Sequence, residues 1–250
     1  MKKITKILSF CLSGLVALAI LGAPAHAQED DTKVKGPKLE QGIDYFAVLK
    51  TSKGDIVVDL SEGEAPVTVR NFVNLAEGTK PYKDPESNQV SIEPYYENVI
   101  FHRVIDGFMI QSGDPTGTGR GGPGYTIVDE QNSTLSFTQD EYVMAMANTG
   151  RPNSGAAQFF ITDEGQHPAY AQLSGKYTIF GKVVEGQNNV DAIAGVEVTT
   201  QPGGGEKSRP VNPPVLQTVD ILRVGEGQTW SDVLASEGAT EAPAPESATE

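Results

Sequence analysis

The chain has 250 residues, enough for one large domain or two small ones, and its formal net charge is −14. Proteins that bind nucleic acids contact the phosphates through an excess of Lys and Arg, so this acidic composition argues against nucleic acid as a partner. The usual consequence of such a charge is solubility.

The first 27 residues have the layout of a secretory signal peptide. Three lysines precede the apolar run 7–21, and the small-x-small cleavage site Ala25-His26-Ala27 follows it. A membrane anchor is the alternative, but the apolar run is shorter than the ~20 residues that a membrane span needs. We therefore expect residues 1–27 to be cleaved and the protein to be exported, to the periplasm or, as the alternative, into the medium. We expect no membrane association after cleavage.

Cleavage would also remove Cys11, the only cysteine. The mature chain could then form no disulfide and would offer neither a cysteine nucleophile nor a thiolate metal ligand. Its formal charge would change from −14 to −17, because residues 1–27 carry three lysines and no acidic residue. We expect a monomer.

One folded domain, 44–225, is predicted between two polar segments. Residues 28–43 are polar and predict a flexible lead-in. Residues 226–250 contain six acidic residues and no basic ones, a composition that predicts a disordered tail. The apolar spot 230–234 could dock locally. Deleting the whole tail, which could instead act as a tether, is expected to leave turnover of a substrate unchanged.

The first part of the domain reads as two strands, 46–50 and 55–60, joined by a glycine-containing turn. A helix is predicted next, because Pro66 suits its first turn and Gly78 suits its end. Residues 79–97 are polar and rich in turn formers, which predicts a surface loop.

Short β segments punctuated by glycine follow, with one more helix. Many short strands without alternating helices predict a mainly β fold, an antiparallel sheet that closes on itself. The segments are Val99–Ile105, Phe108–Gln111, Tyr125–Val128, Tyr142–Ala147, Gln158–Thr162, Tyr177–Val184, a helix at Asn188–Ala194, a loop at Gln201–Gly205 and a last strand at Pro213–Val224.

The segment 101–111 is the main candidate for a site. Strand alternation would place Arg103, Ile105 and Gln111 on one side of neighbouring strands, with a turn or bend at Gly107. A lone arginine beside apolar residues and an amide does not resemble acid–base or nucleophilic machinery. It is typical of a site that holds a peptide and polarises one bond.

Other motifs carry less weight. Residues 117–122 fit G-x-G-x-x-G, but no helical pattern follows them, so a tight loop is favoured over a dinucleotide site. No G-x-S-x-G turn occurs, which argues against a serine hydrolase. The mature histidines, His102 and His167, lack metal-ligand spacing, and His102 is interpreted as a hydrogen-bonded structural residue. We expect no metal and no cofactor.

Four stretches in order resemble the cyclophilin family of peptidyl-prolyl cis-trans isomerases. The first is F-H-R-V-I-x-G-F-M-I-Q-x-G-D from Phe101, and the second is G-x-G-x-G-G from Gly117. The third is M-A-N from Met146 leading to Q-F-F-I from Gln158, and the last is L-x-G-K-Y-x-I-F-G-K-V from Leu173. The similarity covers roughly residues 45–224.

The resemblance implies an isomerase of X-Pro peptide bonds in unfolded or flexible polypeptides, with a closed eight-stranded antiparallel barrel and two capping helices. It implies that Arg103 is the catalytic residue and acts without a cofactor. The implied substrate-binding residues are Phe108, Met109, Phe160 and Leu173 at the proline ring, Gln111 and the backbone of Asn148 on the substrate chain, Ala147 and Gln158 along the adjacent groove, and Tyr177 in the pocket wall.

Two positions depart from the family pattern. Gln172 stands where many members have tryptophan, so tight binding of the cyclic peptide cyclosporin is in doubt because an aromatic wall is missing. Tyr177 stands where many members have histidine, and we expect its ring to preserve the wall. The alternative function is a proline-peptide-binding or holdase module that does not need the guanidinium of Arg103.

Overall fold

The computed structural model describes residues 36–131, 133–138, 140, 142–164 and 167–240, the last four by their backbone alone. The predicted signal peptide lies outside these residues, as do residues 28–35 of the lead-in and residues 241–250. In the described part of the chain, no helix combines the length and the apolar character that crossing a membrane requires.

The described residues form a mainly β domain with four helices. The elements are β1 Asp44–Thr51, β2 Gly54–Leu60, α1 Pro66–Ala76, β3 Tyr82–Lys83, β4 Val90–Ser91, β5 Val99–Ile100, β6 Arg103–Ile105, β7 Met109–Ser112, β8 Val143–Met146, β9 Phe159–Thr162, α2 Tyr170–Leu173, β10 Ile179–Glu185, α3 Gln187–Ala194, β11 Val198–Thr200, β12 Lys207–Pro210, β13 Val215–Val224 and α4 Trp230–Thr240.

One curled antiparallel sheet contains nine of the described strands, in the order β5-β13-β1-β2-β10-β8-β9-β7-β6. The expected closed barrel of eight strands is therefore not what the structure has: the sheet is open and has one strand more. Its end strands, β5 and β6, follow each other in the chain, and the N–H of Phe101 between them bonds to the carbonyl of Pro214. Among the described strands, the two-residue β5 pairs with β13 alone.

The main core lies between the inner face of the sheet and helices α1 and α3, which are the two predicted helices. Phe72 of α1 is fully buried, and its ring contacts the rings of Tyr96, Phe159 and Phe180 at centroid distances of 5.1, 5.8 and 5.5 Å. The carboxylate of Glu130 accepts hydrogen bonds from the first N–H groups of α1, which have no partner inside the helix. This packing holds the sheet in its curled shape.

Two segments differ from the predicted elements, and one confirmed loop has flanking strands that were not predicted. The predicted strand Tyr125–Val128 is irregular backbone. Tyr125 and Ile127 alternate toward the core as in a strand, but the hydrogen bond from the N–H of Ile127 to the carbonyl of Gly155 does not continue into a ladder of strand pairing. The predicted surface loop 79–97 contains the small hairpin β3–β4. The predicted loop 201–205 connects a second hairpin, β11–β12.

The described end of the lead-in is held against α1. Arg70 is buried and donates from Nη2 to the carbonyl of Gly36 at 2.6 Å and from Nε to that of Pro37 at 2.8 Å. Asn74 also donates to Pro37. Hydrogen bonds to a charged donor are stronger than neutral ones, so residues 36–37 are fixed to the domain.

The described part of the tail is helical, which differs from the disorder that we predicted for residues 226–250. Thr229 accepts a hydrogen bond from the N–H of Asp232 and donates its hydroxyl to the carboxylate of Asp232, a cap at the start of α4. Trp230, Val233 and Leu234 then pack on an apolar patch of the outer sheet face, formed by Phe46, Val48, Val57 and Leu222. The cap and the patch together order this segment.

We expect that ending the chain after Gly225 lowers the free energy of unfolding by roughly 2–4 kcal/mol, because the outer patch loses the apolar cover of α4. Urea unfolding followed by circular dichroism measures the change. Ending the chain after Thr240, which keeps α4, is the control and should leave the unfolding curve in place. Equal stability of the two truncated proteins would show that α4 contributes nothing.

Candidate active site

The candidate site is built on one row of side chains that crosses the sheet. Arg103 of β6 pairs with Gln111 of β7, and Gln111 pairs with Phe160 of β9. Residues directly opposite one another in antiparallel strands project from the same face, so all three side chains share one face of the sheet. The turn between β6 and β7 is closed by Gly107 at φ +74°, a conformation that glycine adopts freely. The predicted placement of Arg103, Ile105 and Gln111 is confirmed.

A second apolar cluster, separate from the main core, lies on this face. Met109 and Phe160 are its buried members near the row, and Phe108, Leu173 and Tyr177 pack against it half-buried. The rings of Phe160 and Tyr177 meet edge to face at 5.4 Å. The five apolar residues that were predicted for the pocket are therefore brought together. Further aromatic members that the sequence analysis missed are Phe137, stacked on Phe160 at 5.9 Å, and Tyr170.

Phe108 is held in place by aromatic neighbours and a hydrogen bond. Its ring lies 4.5 Å from the ring of His167 and 5.5 Å from that of Tyr170. The hydroxyl of Tyr170 donates to the carbonyl of Phe108 at 2.6 Å. Because α2 supplies Tyr170 and Leu173, this short helix forms one wall of the pocket.

The guanidinium of Arg103 is held from two sides. Nε and Nη2 donate to the two carboxylate oxygens of Glu206, at 2.7 and 2.9 Å. Nη1 lies 3.4 Å from Oε1 of Gln111 and 3.7 Å from Sδ of Met109, so it faces the apolar cluster. The hydrogen bond from Arg103 lowers the pKa of Glu206, which keeps that carboxylate ionised. One donor edge is thus occupied by Glu206 and another faces the pocket.

A chain of amides leads from the arginine to a groove. Gln111 donates from Nε2 to Oε1 of Gln158 at 3.1 Å, and Gln158 donates from Nε2 to the carbonyl of Gly121 at 2.9 Å. Both glutamines line a cleft of about 470 Å³, together with Ala147 and Asn148. Ala147 also packs against the apolar cluster, so the cleft and the pocket adjoin at this residue.

The glycine-rich loop 117–122 forms the other side of the cleft, and Asp114 organises it. The fully buried carboxylate of Asp114 accepts hydrogen bonds from the N–H groups of Thr116, Thr118, Arg120 and Gly121, at 2.9 to 3.1 Å. Burial raises the pKa of Asp114, but the hydrogen bonds outweigh it and the pKa lies below its ordinary value. The prediction that residues 117–122 form a tight loop agrees with this geometry.

Asn148 supports its own loop through its side chain. It donates from Nδ2 to the carbonyl of Lys176 at 2.7 Å, and its Oδ1 accepts from the N–H of Gly150. These two bonds tie the edge of the cleft to the segment that carries Tyr177. The backbone of Asn148 is thereby fixed beside the cleft.

Two other predictions concern histidine and metal. His102 is buried, as a structural histidine would be, but within the described residues its ring nitrogens make no hydrogen bond that meets normal geometry. Burial lowers the pKa of His102, so its ring is neutral at physiological pH. Among the described side chains, no group of three or more His, Cys, Asp and Glu is arranged to hold a metal ion.

Comparison with known proteins identifies the same family for most of the chain. The model of the family "Cyclophilin type peptidyl-prolyl cis-trans isomerase/CLD" matches residues 46–225. Peptidyl-prolyl cis-trans isomerase B of Streptomyces anulatus is 46% identical over 178 residues, which cover 70% of this chain and 95% of that protein. Peptidyl-prolyl cis-trans isomerase A of Mycobacterium tuberculosis is 46% identical over 177 residues, with 70% and 91% covered.

Solved structures agree with the sequence comparisons. A cyclophilin type peptidyl-prolyl cis-trans isomerase of Cryptosporidium parvum superposes with a TM-score of 0.58 at 29% sequence identity, covering 72% of this chain and 98% of that one. A second structure of that protein, in the presence of the dipeptide Ala-Pro, gives a TM-score of 0.57, with 71% and 98% covered.

Proposed function

Because the chain belongs to the cyclophilin-type peptidyl-prolyl cis-trans isomerases, we propose that it catalyses X-Pro isomerisation in exported polypeptides and thereby assists their folding. The observation that carries the proposal is the guanidinium of Arg103, with Nη1 turned toward the apolar cluster around Met109 and Phe160. That arrangement places a permanent positive charge beside a partly exposed apolar surface.

The reaction explains why one arginine suffices. Isomerisation must overcome a barrier of ~18–20 kcal/mol, because the amide C–N bond has partial double-bond character, and it breaks no covalent bond. In the twisted state the proline nitrogen regains a localised lone pair. A guanidinium stays protonated in proteins and can donate a hydrogen bond to that nitrogen, which favours the twisted state over both planar ones. About 4 kcal/mol of such preference accelerates the reaction roughly a thousandfold.

The apolar cluster provides the second requirement, which is to hold the proline ring still. Met109 lies 3.7 Å from Nη1 of Arg103, and Phe108, Phe160, Leu173 and Tyr177 belong to the same apolar cluster, which we propose holds the ring. An apolar ring buried among them leaves water, which gains ~25 cal/mol per Å² of apolar surface. With the ring anchored, the residue before proline is free to rotate.

The cleft provides the third requirement, a hold on the substrate backbone. Gln111 and the backbone of Asn148 are proposed to hydrogen-bond the chain on either side of the proline, with Ala147 and Gln158 beside them. The Ala-Pro dipeptide present with the Cryptosporidium relative supports a proline-containing ligand for this family. Holding the proline ring and the adjoining backbone positions the rotating bond beside Arg103, so that binding energy lowers the barrier to rotation.

Export is part of the proposal and rests on residues 1–27, which have the layout of a signal peptide. We place the mature protein in the periplasm, with secretion as the alternative, as a monomer acting on unfolded chains. Expressing the full chain and a chain that begins at Gln28, followed by cell fractionation, tests this. A soluble, shortened protein outside the cytoplasm is expected only for the full chain, and equal retention of both would contradict export.

The alternative is a holdase that binds exposed proline-containing segments without using catalysis. The partly exposed apolar cluster favours it as a second function. Suppression of aggregation of an unfolded protein should survive Arg103→Ala, because binding does not need the guanidinium. Proline-limited refolding of the same protein should lose its acceleration. Acceleration that persists in the variant would remove the enzymatic account of Arg103.

A further inference from the structure

We propose that Glu206 is a positioning residue for the isomerase site, which orients the guanidinium of Arg103. The inference rests on the proposed role of Arg103. The two residues are 103 positions apart in the chain, and no local pattern links them. Glu206 lies between the strands of the β11–β12 hairpin, which brings its carboxylate to Arg103.

The geometry of the pair determines which donor faces the substrate. Both oxygens of Glu206 are used, one by Nε and one by Nη2, so the plane of the guanidinium is fixed and not only its charge. Nη1 then turns toward Met109 and Gln111. Arg103 without Glu206 would keep its charge and lose this orientation, because a long side chain that is about one third exposed has several rotamers available.

The hairpin is shaped to deliver this carboxylate. Gly203, Gly204 and Gly205 have φ values of +95°, +89° and +97°, a region that other residues rarely adopt. Gln201 closes the turn by accepting the N–H of Gly204 and by donating its own N–H to the carbonyl of Glu206. The Gln201 side chain also lies against the carbonyl of His102, next to the arginine, which joins the hairpin to β6. The glycine run therefore ends directly before Glu206, and its backbone conformation lets the carboxylate of Glu206 reach Arg103.

The test is a cycle of variants, Glu206→Gln and Arg103→Ala alone and together, assayed by NMR exchange on an X-Pro peptide. Glu206→Gln should lower kcat about tenfold with KM nearly unchanged, because the donor is misplaced in the transition state while the pocket is intact. Glu206→Asp, which keeps the charge, should recover part of the loss. In the Arg103→Ala background, Glu206→Gln should change nothing, because the residue acts only through the arginine.

Glu77→Gln is the matched control, since Glu77 also accepts two hydrogen bonds from one arginine, Nη1 and Nη2 of Arg223 at 2.7 and 3.0 Å, away from the site. It should leave kcat unaltered. A Glu206→Gln protein as fast as wild type or faster, or one that loses activity equally in both backgrounds, would overturn the positioning role. If Arg103→Ala is slow while Glu206→Gln is normal, only this inference fails. An inactive wild type would refute the proposed function and this inference with it.

Discussion

Replacing Arg103 by alanine is expected to lower kcat/KM for X-Pro isomerisation by about two to three orders of magnitude while the fold stays intact. The loss removes the donor that stabilises the twisted amide, and loss of one aligned donor in an active site costs about that much. The fold should survive because the ion pair with Glu206 is part-exposed, and such pairs contribute only about 0–1 kcal/mol. NMR exchange measures the rate, and circular dichroism checks the fold.

Arg223→Ala is the control for this prediction. Arg223 also donates to both oxygens of one glutamate, and its side chain is 39% exposed, against 32% for Arg103. Its loss should therefore cost similar stability without affecting catalysis. Arg103→Lys keeps a point charge but not the planar donor set, so it should recover little of the rate. Equal rates for Arg103→Ala and wild type would contradict the mechanism.

Replacing Asp114 by alanine is expected to lower the free energy of unfolding by at least about 3 kcal/mol and to weaken substrate binding in the cleft. The buried carboxylate accepts four backbone N–H groups of the loop 116–121, and each hydrogen bond to a charged group contributes about 1.5–3 kcal/mol. Their loss frees the loop, and with it the carbonyl of Gly121 that positions Gln158. Urea unfolding and KM for a peptide measure the two effects.

Asp84→Ala is the control, because Asp84 also accepts N–H groups of a short turn, from Glu86 and Ser87, but at the surface. Its loss should cost no more than about 1 kcal/mol. Equal losses for the two aspartates would show that burial at Asp114 has no special weight.

The same carboxylate predicts a pH dependence of stability. The pKa of Asp114 is lower in the folded protein than its ordinary value, so its contribution is fully present above the unfolded pKa of about 3.9. The contribution is lost as the pH falls through the folded pKa. The stability difference between wild type and Asp114→Asn should hold constant above about pH 5 and shrink below about pH 4. A difference that grows on acidification would reverse the sign that the pKa shift requires.

Local rules predicted the half of the site that is local in the chain. Alternation and the turn at Gly107 were enough to place Arg103 beside Gln111, because the two strands are separated by one tight turn. The partners Phe160 and Leu173 came from the family resemblance instead, since periodicity does not reveal which distant strands pair. Neither local alternation nor the family resemblance pointed to Glu206. Asp114 had one, because an aspartate directly before a glycine-rich turn commonly accepts its N–H groups.

The fold shows the same division between local and non-local information. The first predicted helix follows from its terminal residues, Pro66 and Gly78, whereas the helix at 188–194 was predicted without a capping signal and has no side-chain cap. The start of α4 also has a local signal, Thr229 followed three residues later by Asp232, which the prediction from composition did not use. Whether the sheet closes depends on contacts between strands, which no pattern within one strand encodes. The prediction of a closed barrel was therefore the least constrained.

The most direct test of the account is NMR exchange spectroscopy on an X-Pro peptide with the protein that begins at Gln28, compared with its Arg103→Ala variant. The account predicts that substoichiometric wild-type protein brings the cis and trans signals into fast exchange. In the presence of the variant at the same concentration, exchange should stay near the uncatalysed time of tens to hundreds of seconds. Wild-type protein that binds the peptide without accelerating its exchange would contradict the account.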